Sequence, residues 1–66
     1  MDAKKIGRRL VELRGEKSQE TVANQVGISV SALSMYEQGN RIPRDEVKIR
    51  LAQFFQCSIE DLFFAT

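Results

Sequence analysis

Apolar side chains recur every three or four positions through most of this chain, the period of helices that each bury one face. Ala3, Ile6, Leu10 and Leu13 form the first such stripe, in a helix over 3–14 that Asp2 caps and that stops before Gly15. Ser18 opens a second helix over 18–26, with Glu20 complementing the dipole of its first turn and Val22, Ala23 and Val26 on its inner side. After Gly27, Ser29 caps a third over 30–38, and Ile28 and Leu33 are spaced as a hydrophobic staple across that cap. Pro43 closes an irregular stretch, and the acidic pair Asp45 and Glu46 then starts a fourth helix over 45–56, with Val47, Leu51, Ala52 and Phe55 inward. Ser58 with Asp61, and Cys57 with Leu62, repeat the capping-box and staple pattern and predict a short fifth helix over 59–64. Four glycines and one proline divide these pieces, and no alternating run suits a strand. The expected fold class is therefore all-α, a compact unit of five helices forming one domain over 1–66. Its expected core is Ile6, Leu10, Leu13, Val22, Ala23, Val26, Leu33, Val47, Leu51, Phe55, Ile59 and Leu62.

Composition narrows the chemistry. Cys57 is the only cysteine and histidine is absent, so an intrachain disulfide and a thiolate–imidazole zinc set are both excluded, and no cofactor or metal is expected. With no histidine, glycine-rich phosphate loop or clustered carboxylates, the chain does not read as an enzyme. At 42% hydrophobic and 29% charged it is too apolar for disorder and too often interrupted by charge for a membrane span. The start lacks a basic region followed by an apolar one, and a lone cysteine suits a reducing compartment, so the expected location is cytoplasmic. Cys57 itself reads as a small apolar residue rather than a redox sensor.

The net charge of +1 conceals an uneven distribution. Residues 1–17 carry +3 and residues 41–50 carry +2, while the segment between them and the segment after residue 50 carry −2 each. Arg8 and Arg9 belong to the first basic segment and read as a solvated face. Between the two basic segments lies helix three, whose faces differ. Leu33 and Tyr36 point one way with Glu37 near them; Ser31, Ser34 and Met35 point the other, with Val30 at the flank and Gln38 at the far end. A merely solvated face more often carries Lys, Glu or Arg. An uncharged face of small or flexible side chains, bordered by cations, suits base-pair edges in a DNA major groove bordered by phosphates, with a protein interface or no partner at all as the alternatives.

The run Ser18-Gln19-Glu20-Thr21-Val22-Ala23-Asn24-Gln25-Val26-Gly27-Ile28-Ser29-Val30-Ser31-Ala32-Leu33-Ser34-Met35-Tyr36-Glu37-Gln38-Gly39 resembles the helix-turn-helix of the phage repressor and Cro family, the XRE type. The similarity continues through Arg41-Ile42-Pro43 to Ser58-Ile59-Glu60-Asp61-Leu62-Phe63. The resemblance implies a lambda-repressor-like domain with its helix-turn-helix at helices two and three. It implies that Val30, Ser31, Ser34 and Met35 face the bases, and that Gln19, Gln38, Asn40, Arg41 and Arg44 contact phosphates. Arg14 and Glu37 match a pair that in the family often forms an internal salt bridge. The connection Gly15-Glu16-Lys17 is shorter than the family's usual loop, and Val30 and Met35 stand where a long hydrogen-bonding side chain is common.

The expected function is thus a sequence-specific transcriptional regulator, a repressor, that binds double-stranded DNA at a palindromic operator as a homodimer. No membrane and no small-molecule ligand is expected as a partner. A protein-interaction or antitoxin-like module on the same fold is the alternative. The dimer surface is expected at Ile49, Phe63 and Phe64: Phe63 and Phe64 lie about 100° apart on a helix, so one is left outside a small core. Ile49 lies off the inner stripe of helix four.

Overall fold

Asp2, Ser18 and Ser29 each hold extended backbone immediately before a helix, and each side chain accepts hydrogen bonds from amides of the first turn that the helix cannot itself satisfy. These caps open α1 (Ala3–Arg14), α2 (Gln19–Val26) and α3 (Val30–Glu37) in a computed structural model that describes residues 1–64. The bond from the Lys5 amide, joined by that from Lys4, holds the Asp2 carboxyl below its ordinary pKa. α4 (Asp45–Phe55) starts without a side-chain cap, its acidic first turn facing the helix dipole. The last element, α5 (Glu60–Phe64), is entered through Ser58, whose hydroxyl accepts from the Asp61 amide, and it is wound as a π-helix. No strand occurs among the described residues, and the fold is the all-α, helix-turn-helix architecture expected.

The turn between α2 and α3 is tight because Gly27 adopts φ 82° and ψ 36°, a left-handed conformation in which a side chain is disfavoured. The amides of Gly27 and Ile28 both donate to the Ala23 carbonyl, which ends α2 and redirects the chain at once into Ser29. Ala23, almost fully buried, is small where α2 crosses α3. Around this pair α1 packs on α3, α4 on α2, and α5 on α1.

Gly7 does not divide anything: it lies inside α1, buried where α1 crosses the end of α3. A Cβ there would collide with the Glu37 carbonyl oxygen and lie 2.8 Å from that of Tyr36. The two backbones touch because nothing stands between them. Three residues earlier, Lys4 reaches across and donates from Nζ to the Gln38 carbonyl at 3.1 Å, satisfying a carbonyl at the α3 C-terminus. α1 therefore sets the tilt of α3.

The core consists of Ile6, Leu10, Val22, Ala23, Val26, Leu33, Tyr36, Val47, Leu51, Ala52, Leu62 and Phe63. Leu13, expected among them, is 40% exposed, because Arg14 rather than Leu13 turns toward α3 at that level of α1. Phe55 and Ile59 are half-buried at the margin, where Phe55 meets Phe54 edge to face at 5.0 Å. Phe63 requires a further correction. It is 2% exposed and belongs to the core, so its ring is not available at a dimer surface. The wider π turn separates consecutive side chains by less than an α-helix does, so that Leu62 and Phe63 both reach inward. Phe64 remains outside at 54% exposure, and Ile49 is exposed on α4. The Lys48 ammonium lies 5.9 Å from the Phe63 ring centre and 5.8 Å from that of Phe64.

Candidate nucleic-acid interface

Glu37 ends α3 with a carboxylate only 5% exposed, a position that needs partners if the charge is to persist. Arg14 supplies two, with Nε to Oε2 at 2.7 Å and Nη2 to Oε1 at 3.1 Å, the forked geometry that makes arginine–carboxylate pairs strong. This hydrogen-bonded carboxylate raises the Arg14 pKa further above its already high ordinary value. The third guanidinium nitrogen donates to the Lys17 carbonyl at 2.8 Å, so the short connection after α1 is tied to the same group. Gln19 adds the link to α2, donating from Nε2 to Glu37 Oε1 at 2.8 Å. One carboxylate thereby joins α1, α2 and α3, and the first turn of α2 is held against the end of α3.

The opposite face of α3 is turned to solvent. Val30 and Met35 are 41% and 39% exposed, Ser31 is exposed between them, and Ser34 is half-buried. No charged side chain lies on this face: the one charge of α3 is Glu37, directed inward. Beyond the helix, Gln38 donates from Nε2 to the Ser34 hydroxyl at 2.8 Å and accepts from Asn40 Nδ2 at 3.0 Å, a small chain of amides closing the end of the face. Arg41 and Arg44 follow, both exposed and neither in an ion pair among the described residues, with buried Pro43 fixing the backbone between them. Arg50, close to the Gly27 turn, is only loosely held by Glu46 at 3.9 Å.

The structure thus brings Val30, Ser31, Ser34, Met35, Gln38, Asn40, Arg41 and Arg44 to α3 and the segment after it. Gln19 stands at the start of α2 with one amide proton engaged by Glu37 and the other undirected. Arg9 is not part of this surface. It lies on α1 and donates to the Leu62 carbonyl at 3.1 Å, fastening α5. Ile49 and Phe64 lie on α4 and α5, away from α3 in the chain order.

Two positioning residues, Lys4 and Gly7, are not among those singled out from the sequence pattern. Lys4 is one cation among six in its segment, and nothing local marks it as a cap for another helix. Gly7 does carry a signal: a glycine inside a helix costs about 1 kcal/mol relative to alanine, and its presence within an otherwise regular stripe points to a close backbone approach. Cys57 is half-buried, and burial, with the nearby Asp61 carboxylate, pushes its thiol pKa up, the reverse of what a reactive thiolate requires. Among the described residues no group of His, Cys, Asp and Glu is placed to hold a metal ion, and no helix is long and apolar enough to cross a membrane.

Comparison with known proteins agrees with this geometry. A helix-turn-helix family model matches residues 8–62, most of the chain. Among solved structures, the crystal structure of the restriction-modification controller protein C.AhdI from Aeromonas hydrophila is similar, with a TM-score of 0.84 and 36% sequence identity. That match covers 94% of this chain and 97% of the other. Among curated protein sequences none matches.

Proposed function

The chain belongs to the helix-turn-helix family, in its phage repressor and Cro (XRE) type, and from that premise we propose that this DNA-binding transcription regulator is a homodimeric repressor of a palindromic operator, with α3 in the major groove. The observation that carries the reading is the uncharged outer face of α3 followed by Arg41 and Arg44, two exposed guanidinium groups with no acidic partner among the described residues. In a groove, such a face meets base edges while the arginines meet phosphates. Val30, Ser31, Ser34 and Met35 are the base-facing side chains. Gln19, Gln38, Asn40, Arg41 and Arg44 grip the backbone, and Gln19 does so with the amide proton that Glu37 leaves over. Because Glu37 binds α1 and α2 together at the end of α3, phosphate contacts made by Gln19 fix the register in which α3 enters. The neighbour's role as a controller protein supports regulation of gene expression as the activity, and a compact domain seated on promoter DNA represses by occupying it.

Arg41→Ala and Arg44→Ala are expected to weaken binding to all duplexes alike and to make the salt dependence shallower, by about 0.9 in log–log slope for each phosphate no longer neutralised. Substitutions at Ser31 and Met35 are expected to change which duplex a randomised-site selection returns. Loss of the same sequence preference from both classes would overturn the assignment of residues. If affinity for DNA is absent or indifferent to salt, α3 serves a protein partner instead, as in an antitoxin-like module.

Two copies are needed to read a two-fold site, with recognition helices about 34 to 36 Å apart, one turn of DNA. A protomer whose Cα extents are 27 × 22 × 22 Å spans one half-site when paired side by side. Ile49 and Phe64 provide the exposed apolar side chains for that pairing, with the Lys48 ammonium over the Phe64 ring. Phe64→Glu is expected to yield a monomer in sedimentation at micromolar concentration and to lower operator affinity. Unchanged mass and affinity would exclude α5 from the dimer interface.

A further inference from the structure

Resting on the reading of α3 as the base-facing helix, we infer that this helix recognises the C5-methyl groups of pyrimidines, so that 5-methylcytosine in the site is bound much as thymine is and unmethylated cytosine is not. The hydrogen-bonding inventory of α3 leads there. Sequence discrimination in the major groove rests chiefly on bidentate pairs, Arg or Lys with guanine and Asn or Gln with adenine. From Val30 to Glu37 the helix contains none of these four residue types. Glu37 is occupied by Arg14 and Gln19 on the inner side. Gln38, the one long amide at the end of the face, has its nitrogen engaged with Ser34 and its oxygen with Asn40.

What remains outward is one exposed hydroxyl, Ser31, and two apolar side chains, Val30 and Met35, both about two-fifths exposed. The apolar feature that a base pair offers in this groove is the thymine methyl group. 5-Methylcytosine carries a methyl at the same ring position. It differs from thymine on that edge by an amino donor in place of a carbonyl acceptor, a difference to which Val and Met are blind. A serine hydroxyl both donates and accepts, so Ser31 accommodates either ring. Cytosine without its methyl leaves Val30 or Met35 facing an empty, hydrated position. Cytosine methylation of the operator therefore changes affinity through α3, with no modification of the protein.

The test uses the full chain and the duplex returned by randomised-site selection on unmodified DNA. Each thymine in a half-site is replaced in turn by deoxyuridine, which removes only the methyl, and separately by a cytosine–guanine pair with and without the 5-methyl group. Burial of one methyl corresponds to about a fourfold change in affinity. At one or more positions deoxyuridine is expected to weaken binding by about that factor, and methylation of cytosine to recover about the same factor. Met35→Ala or Val30→Ala should abolish the methyl effect at its own position. Both are exposed helix positions where alanine is well tolerated, and circular dichroism verifies the fold. Sequence-selective, salt-dependent binding that ignores the methyl at every position overturns this inference and leaves the regulator intact. Binding that is neither selective nor salt-dependent overturns both.

Discussion

Replacing Gly7 by alanine is expected to destabilise the protein and weaken DNA binding together, although helix propensity alone argues for a gain of about 1 kcal/mol. The added methyl group would strike the Glu37 carbonyl oxygen and approach that of Tyr36 to 2.8 Å, and both obstacles are backbone rather than a side chain that can swing aside. α1 and α3 must separate. Overpacking of this kind costs about 1 to 3 kcal/mol, and in a domain of this size each 1 kcal/mol moves the thermal midpoint by about 4 to 8 °C. The movement also stretches the Lys4 bond to the Gln38 carbonyl and shifts the Arg14 pair with Glu37, so α3 loses its tilt. Thermal melting and duplex affinity measured on the same variant check this. A midpoint at or above the parent's would show that the two backbones have room to yield at the crossing.

Leu51→Ala is expected to have the largest effect on stability alone. Leu51 is fully buried in α4 within the core cluster to which all five helices contribute, and truncating such a leucine costs about 2 to 5 kcal/mol. Small domains have little reserve, so much of the folded population at physiological temperature should be lost. Leu13→Ala serves as the contrast. At 40% exposure it should move the midpoint far less, even though the helical stripe places both leucines inward. Equal losses from the two variants, measured by urea denaturation, would contradict the burial pattern.

The difference between those leucines shows what the sequence carries and what it does not. Caps at Asp2, Ser18 and Ser29 are readable because cap chemistry is local: a short polar side chain satisfies amides two or three residues away. The turn at Gly27 and the staple of Ile28 with Leu33 are local for the same reason. Leu13 and Arg14 are adjacent, and which one faces inward depends on Glu37, more than twenty residues later. Periodicity cannot see that partner. The winding of α5 is hidden likewise, because a π turn is selected by the packing of Leu62 and Phe63 rather than by a residue-type signal. At the candidate site, the absence of charge on the outer face of α3 is legible from helical angles. The closed chain of Ser34, Gln38 and Asn40 is not, since it depends on side-chain conformation.

Whether α3 and the segment after it are the surface that meets DNA is tested most directly by amide chemical-shift mapping of the protein, titrated with its selected duplex. Perturbations are predicted at the first turn of α2 around Gln19, along α3 from Val30 to Gln38, and at Asn40, Arg41 and Arg44, with Val11 and Leu13 on α1 unaffected. Perturbations concentrated on α1, at Val11 or at Leu13, with α3 silent, would contradict it.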